Sequence, residues 1–128
     1  MASRVLVVED DTDILSSLVE VIREEGYEVH SAANGFQALA QLAQNPMDLI
    51  FLDLMMPIMD GWRFLEEMKQ RFPEQHAKVV LLSAVHGLPA EAARLDVARF
   101  LVKPFELDDV VRLAHEYCPL PGRDRHAH

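Results

Sequence analysis

Several features that mark other protein classes are scarce in this 128-residue sequence. It has a single cysteine, Cys118, so no disulfide can form within the chain, and we interpret this residue as a small apolar side chain near a helix end. No apolar run approaches the ~18 residues of a membrane span. The N-terminus also lacks the separate apolar segment of a secretory signal. We therefore expect a cytoplasmic protein without a membrane partner.

Basic residues are also scarce, with 12 Lys and Arg against 21 Asp and Glu and a formal net charge of −9. Direct nucleic-acid binding is not expected, because it needs a basic face that displaces counterions. The glycine-lysine motif of P-loop nucleotide hydrolases is absent, which excludes that class. No repeat or low-complexity segment occurs, and the length fits one domain.

Hydrophobic residues make up 50% of the chain and gather in short, continuous runs. Such runs are typical of parallel strands that are covered on both faces. A more polar stretch at residues 27–32 is typical of an edge strand. The four apolar runs are residues 5–8, 49–52, 79–82 and 100–102.

Amphipathic stretches with helical spacing follow these runs. Their apolar residues recur at 14–22, 36–43, 64–72 and 107–117, and a short helix is predicted over 89–95. The order is a strand followed by a helix, five times. Repeated βα units in so short a chain predict an α/β fold with one parallel sheet and helices on both sides. Ligands in open sheets of this kind bind at the carboxyl ends of the strands.

Chemically active side chains stand at four of these strand ends. Glu9 and Asp10 follow the first run, Asp53 the second, Ser83 the third and Lys103 the fourth. Because the carboxyl ends of parallel strands meet at one edge, we expect these residues to converge. Each alone has an ordinary structural explanation; the adjacent acids Asp10 and Asp11, for example, can simply cap the helix that follows them. Their joint placement favours a site.

Three carboxylates at one place repel one another, and each pair costs roughly 3 kcal/mol at ~5 Å in an effective dielectric of ~20. Lys103 supplies one compensating charge. A hard divalent cation is the natural further partner, and Mg²⁺ prefers carboxylates, waters and phosphate oxygens. In such a site Asp53 can attack phosphorus as a nucleophile and form an acyl phosphate. Ser83 and Lys103 would then contact the phosphoryl oxygens.

At this point the sequence resembles the receiver domains of two-component response regulators, from residue 4 to about 117. The matching segments are VLVVED at 5–10, DLMMPIMDG at 53–61, LSA at 82–84 and VKPF at 102–105. The resemblance implies a flavodoxin-like, three-layer (βα)5 fold with strand order 2-1-3-4-5. It implies a receiver domain over 4–118, followed by a C-terminal tail at 119–128.

The resemblance also assigns roles at the site. Asp53 is similar to the phosphoacceptor of the family. Asp10 and Asp53 match its direct Mg²⁺ ligands, Glu9 matches a ligand that acts more often through water, and the main-chain carbonyl of Met55 matches a further ligand. Lys103 matches the site lysine, and its bond to Pro104 is one that the family often holds cis.

A switch is implied as well. On phosphorylation the Ser83 hydroxyl moves toward the phosphate and Phe100 swings inward, which changes the output face. The segment between Ser83 and Phe100 is short for the family, which leaves the geometry of that face open. Met55 and Val85 match two positions that tune the lifetime of the phosphate in the family. Both are apolar, and we hypothesise that they slow autodephosphorylation.

The implied partners are a histidine kinase or a histidine phosphotransfer protein, and a downstream effector protein or domain. A phosphorylation-dependent dimer fits the same resemblance. Two other functions compete with the signalling switch. The first is an aspartate-nucleophile phosphatase, although that class resembles Asp-x-Asp and here Met55 stands two residues after Asp53. The second is a receiver-like interaction module that works without phosphorylation.

Overall fold

The computed structural model describes residues 3–56, 58–83 and 97–119. These ranges contain five strands and four helices. The strands are β1 (Arg4–Val8), β2 (Glu28–Ala32), β3 (Leu49–Asp53), β4 (Lys78–Ser83) and β5 (Val97–Val102). The helices are α1 (Thr12–Glu24), α2 (Gly35–Gln44), α3 (Gly61–Arg71) and α4 (Leu107–Tyr117). The helix predicted over 89–95, and the tail after residue 119, lie outside the described residues.

All five strands are parallel and form one sheet in the order β2-β1-β3-β4-β5. This confirms the predicted doubly wound α/β fold and its strand order. The chain reverses its winding direction between β1 and β3, and this switch point is where such sheets bind ligands. The fold therefore places the ends of β1 and β3 at the centre of the candidate site.

Each face of the sheet carries its own apolar core, which gives the molecule three layers. One core packs α2 and α3 on the sheet, and Phe64 is fully buried within it. The other core packs α1 and α4 on the opposite face, and Phe51 is fully buried there. Because β1 and β3 lie between both cores, all their residues after Arg4 are buried, as their continuous apolar runs predict.

The last strand begins earlier than its apolar run. The run predicts a start at Phe100, whereas β5 begins at Val97 and is irregular opposite Val79 and Val80. Its first residues include the exposed Arg99, whose guanidinium pairs with Glu116 of α4 at 3.0 Å. An edge strand with one charged residue has no continuous apolar pattern, so the run underestimates its length.

Three helices start at side-chain caps in the loops at the carboxyl edge of the sheet. Asp11 accepts hydrogen bonds from the main-chain N–H groups of Asp13 and Ile14 at the start of α1. Asn34 caps α2, and Asp60 caps α3. These caps satisfy donors that the first helical turn leaves without partners. They also fix the loops from which the site is built.

Gly61, the first residue of α3, lies against the backbone that carries the phosphoacceptor candidate. A Cβ atom there would stand 2.9 Å from Leu54 Cα and 3.0 Å from the carbonyl oxygen of Asp53. We expect Gly61→Ala to lower the free energy of unfolding by about 2–3 kcal/mol, because backbone cannot move aside as a side chain can. Urea unfolding followed by circular dichroism measures this change.

Gly35 provides a matched control, because it is the first residue of α2. A Cβ there would meet side-chain atoms of Met59, with Sδ at 2.6 Å, Cγ at 2.9 Å and Cβ at 3.0 Å, and no backbone. Met59 is buried, so it would have to repack within the core. We expect Gly35→Ala to lower the free energy of unfolding by about 1 kcal/mol, less than Gly61→Ala, because a side chain can repack where backbone cannot. Equal losses in the two variants would contradict this account of Gly61.

Candidate functional site

Three carboxylates converge where β1 and β3 end, on the two sides of the switch point. Glu9, Asp10 and Asp53 each offer an oxygen, and these oxygens lie within 4.8 Å of one another. Glu9 and Asp53 are buried, with exposed fractions of 0% and 2%, whereas Asp10 is exposed. Two buried acids and one solvent-facing acid thus form a pocket with an open side.

Lys103 enters this cluster from the loop after β5. Its Nζ lies 3.0 Å from Glu9 Oε1 and 3.4 Å from Asp53 Oδ2. Its main-chain N–H donates to the carbonyl oxygen of Ser83 at 2.6 Å, which ties the lysine loop to the end of β4. The bond between Lys103 and Pro104 is cis, as the family resemblance implied. One ammonium therefore faces the two buried carboxylates.

Main-chain N–H groups orient both buried acids. Glu9 Oε2 accepts from the N–H of Asp11 at 3.1 Å, and Asp53 Oδ1 accepts from the N–H of Met55 at 3.0 Å. Both oxygens of Glu9 thus have protein partners, because Oε1 pairs with Lys103. Asp53 keeps Oδ2 directed toward the lysine and the pocket. The loops position the acids before any ligand is bound.

Burial and like charge raise the pKa of Asp53 to about 7, because desolvation and the adjacent Glu9 carboxylate both disfavour its ionised form. The Met55 N–H and the Lys103 charge act in the opposite direction and do not cancel this effect. For Lys103, burial lowers the pKa, but the hydrogen bond to Glu9 and the charges of Asp53 and Glu9 raise it overall. The lysine therefore remains an ammonium ion, and its single positive charge is fewer than the three acids of the pocket.

The donor set fits a hard divalent cation. All three side chains offer carboxylate oxygens, and one ammonium faces three acids, so a cation would relieve their repulsion. Sulfur and imidazole ligands, which softer metals prefer, are absent from this cluster of described residues. The donor chemistry of the pocket fits a hard divalent cation such as Mg²⁺.

The remaining predicted residues lie at or near the carboxyl ends of β3, β4 and β5. Ser83 is the last residue of β4 and is buried, with 3% exposure. Met55 follows the end of β3, and 68% of its side chain is exposed. Phe100 lies in β5, half-buried against the core that contains α2 and α3. The structure thus brings Ser83 and Lys103 to the same edge as the three acids. Val85 lies outside the described residues.

From the sequence, the adjacent acids Asp10 and Asp11 can either cap α1 or contribute to a site, and the structure gives each a different role. Asp11 caps α1, while Asp10 joins the carboxylate cluster. The direct pairing of Glu9 with Lys103 and the packing of Gly61 against the Asp53 backbone are not evident from the sequence. An acid that directly precedes a helix cap, as Asp10 does, can be recognised in the sequence as a candidate ligand. No sequence pattern reveals which acid pairs with the lysine.

A doubly wound parallel sheet with an acid-and-lysine pocket at its switch point defines a class of α/β proteins that bind their ligands at the carboxyl edge. Within that class, residues 5–115 match the response regulator receiver domain family. The chain belongs to this family, and it is a receiver domain of the two-component response regulators.

Individual relatives agree with this assignment. Sporulation initiation phosphotransferase F of Bacillus subtilis is 34% identical, and the match covers 94% of this chain and 97% of that protein. Transcriptional regulatory protein PrrA of Mycobacterium tuberculosis is 38% identical over 84% of this chain, but the match covers only 46% of that protein. The chain therefore spans nearly all of the first relative and about half of the second.

Solved structures show the same fold. Chemotaxis response regulator CheY4 of Vibrio cholerae superposes with a TM-score of 0.84 at 25% identity, covering 91% of this chain and 99% of that one. Response regulator TrrA of Thermotoga maritima, solved with Mg²⁺ and BeF, gives a TM-score of 0.76 at 30% identity, covering 90% and 98%. These comparisons confirm the receiver fold that the strand order indicates.

Proposed function

We propose that this receiver domain accepts a phosphoryl group on Asp53 in a Mg²⁺-dependent reaction and acts as a signalling switch. The observation that carries the proposal is the cluster of Glu9, Asp10 and Asp53 around the ammonium of Lys103 at the switch point of the sheet. The proposed receiver spans 4–118, and residues 119–128 form a C-terminal tail.

Asp53 is the proposed nucleophile. Its Oδ1 is engaged by the Met55 N–H, so Oδ2 is the oxygen directed into the pocket. In the reaction Oδ2 forms a bond to phosphorus, and the bond between phosphorus and the donor atom breaks. The acyl phosphate that forms carries its new negative charge beside Lys103, whose ammonium can pair with a phosphoryl oxygen. The Ser83 hydroxyl is the proposed hydrogen-bond donor to another.

Asp10 and Asp53 are the proposed direct ligands of Mg²⁺, with the main-chain carbonyl of Met55, and Glu9 acts through water. The burial of Glu9 and its two protein partners support this indirect role. When bound, Mg²⁺ supplies charge neutralisation at the phosphoryl oxygens. Glu9 itself holds Lys103 in reach of Asp53 and orients the β1–α1 loop through Asp11.

A histidine kinase or a histidine phosphotransfer protein is the proposed phosphoryl donor, and an effector protein or domain is the proposed recipient of the signal. The similarity to a phosphotransferase and to transcriptional regulators supports these partner classes. We propose Ser83 and Phe100 as the switch pair; they lie on the adjacent strands β4 and β5. An aspartate-nucleophile phosphatase is not favoured, because Met55 stands where that class places an acid.

Among the described residues, no helix has the length and apolar character to cross a membrane.

The test uses acetyl phosphate as the donor and intact-mass spectrometry as the readout. With Mg²⁺ present we expect a mass gain of one phosphoryl group per chain, because the cation then offsets the negative charge of the three carboxylates. With excess EDTA the gain should fall below detection, since the three carboxylates would repel the donor. Peptide mapping should place the group on Asp53. A gain of equal size in EDTA, or one on another residue, would contradict the proposal.

A further inference from the structure

The loop between β3 and α3 carries three methionines with very different exposure. Met55 is 68% exposed, whereas Met56 is 8% and Met59 only 1% exposed. Met47 and Met68, the other methionines among the described residues, are also buried, at 4% and 7%. Of these five thioethers, only that of Met55 is open to solutes. Exposure of this kind is what decides which methionine an oxidant reaches.

Met55 is also joined to the proposed phosphoacceptor. Its main-chain N–H donates to Asp53 Oδ1 at 3.0 Å, so the residue is held at the rim of the acidic pocket. The thioether therefore belongs to a residue whose backbone is tied to the Asp53 carboxylate, and most of its surface faces water. A polar group on this residue would offer a hydrogen-bond acceptor to water only two positions from Asp53.

We propose that Met55 is a site of reversible oxidation by peroxides, and that its sulfoxide shortens the lifetime of the phosphoryl group on Asp53. The effect on lifetime rests on the proposed function, whereas the oxidation of Met55 does not. The oxidant class is a small peroxide such as hydrogen peroxide. The sulfoxide oxygen accepts a hydrogen bond from water and holds that water near phosphorus.

The oxidation step is a two-electron transfer. A lone pair of the Met55 sulfur forms a bond to one peroxide oxygen, and the O–O bond breaks. The departing hydroxide takes up a proton from the newly bound hydroxyl group and becomes water, which leaves the neutral sulfoxide. Sulfur is oxidised and peroxide is reduced, so no further reactant is needed. Methionine sulfoxide reductases reverse the step, one enzyme for each sulfoxide epimer.

The one thiol does not compete for the oxidant. Cys118 is 5% exposed, at the C-terminal end of α4. Burial raises the pKa of its thiol to about 11, and only the thiolate reacts readily with peroxide. Its buried position agrees with the expectation of a small apolar residue near a helix end. Met55 is therefore the favoured sulfur among the described residues.

The first measurement is peptide mapping after brief treatment of the full chain with hydrogen peroxide. We expect Met55 to oxidise about tenfold faster than Met56, and to exceed Met59 by a still larger factor, in keeping with their exposed fractions of 68%, 8% and 1%. The peptides also separate Met1, which lies outside the described residues. Equal rates at Met55 and at the two buried methionines of the same loop would overturn the assignment of the site.

The second measurement follows the loss of the phosphoryl group. Protein oxidised at Met55 is freed of peroxide, loaded with acetyl phosphate and Mg²⁺, and followed by intact mass. We expect loss to be about three- to tenfold faster than in untreated protein, the effect of one added hydrogen bond to water. Treatment with both sulfoxide reductases should restore the original rate.

Two variants separate Met55 from the other methionines. Met55→Leu has a similar volume and cannot be oxidised, so peroxide should no longer change its rate of phosphoryl loss, whatever that rate is before treatment. Met56→Leu should keep the full response. An unchanged lifetime in protein with oxidised Met55 would overturn the coupling. Failure of untreated protein to load any phosphoryl group would instead overturn the proposed function, while the peptide map would still decide whether Met55 is oxidised.

Discussion

Replacing Asp53 with asparagine is expected to abolish the Mg²⁺-dependent mass gain with acetyl phosphate. A neutral amide is a poor nucleophile toward phosphorus, and it also removes one of the proposed metal ligands. The substitution preserves the shape of the side chain, so its oxygen can still accept the hydrogen bond from the Met55 N–H that holds the loop. Loss of the mass gain would then reflect lost chemistry and not a collapsed site.

The same variant should be more stable than the natural chain when Mg²⁺ is removed. The pKa of Asp53 is about 7 in the folded protein, against 3.8 for an ordinary aspartate, so ionising it costs the folded state more than the unfolded state. This loss of stability grows as the pH rises from about 4 to about 7 and is complete above it. The titrations of Asp53 and Glu9 are coupled, so not all of this cost belongs to Asp53 alone. We therefore expect Asp53→Asn to raise the free energy of unfolding by about 2 kcal/mol at pH 8.

Urea unfolding at pH 5 and pH 8, each with and without Mg²⁺, measures this effect. The gain should shrink toward pH 5, where Asp53 is protonated, and also with Mg²⁺, which stabilises the natural chain. Asp48→Asn is the matched control. Asp48 is exposed, directly precedes β3 and accepts a hydrogen bond from the Arg4 N–H, so the charge change is identical at the opposite end of the same strand. This control should load phosphate normally and show no gain in stability. If Asp53→Asn were less stable than the natural chain at pH 8, the ionised Asp53 carboxylate would not destabilise the folded protein as proposed.

The sheet could be predicted because its central strands are buried on both faces. Val7 and Phe51, for example, belong to continuous apolar runs that no amphipathic helix would show. Once the strands are known, parallel topology alone brings the residues at their carboxyl ends to one edge. The approximate location of Asp53, Ser83 and Lys103 therefore follows from the sequence.

The internal geometry of the site does not follow in the same way. Asp10 and Asp11 are adjacent acids, and only the direction of the backbone after β1 decides that one caps α1 while the other faces the pocket. The choice of Glu9 as the partner of Lys103 depends on a contact between residues 94 positions apart. Local sequence patterns do not show which residues that are far apart in the chain come into contact. The start of β5 is hidden from the sequence for a related reason, because its first residues are held by pairing with β4 and not by their own apolar character.

Replacing Lys103 with methionine should slow phosphorylation by acetyl phosphate about 10²- to 10³-fold at saturating Mg²⁺, the usual cost of removing one preorganised charge or donor from a transition state. Methionine keeps much of the apolar stem but removes the ammonium that lies 3.0 Å from Glu9 and 3.4 Å from Asp53. The acyl phosphate would then form without its nearest positive charge. Initial rates of mass gain, in buffer where circular dichroism confirms the fold, measure the loss.

Lys78→Met is the control for charge. Lys78 is exposed at the first position of β4, at the amino end of the sheet, and its substitution changes the net charge by the same amount. Its rate should match that of the natural chain, because a charge at the far edge is screened by water and salt. Lys103→Arg should recover only part of the rate, since a planar guanidinium does not reproduce a compact ammonium between two carboxylates. If Lys103→Met and Lys78→Met gave equal rates, the ammonium would have no part in the transfer, and the pair between Lys103 and Glu9 would serve stability alone.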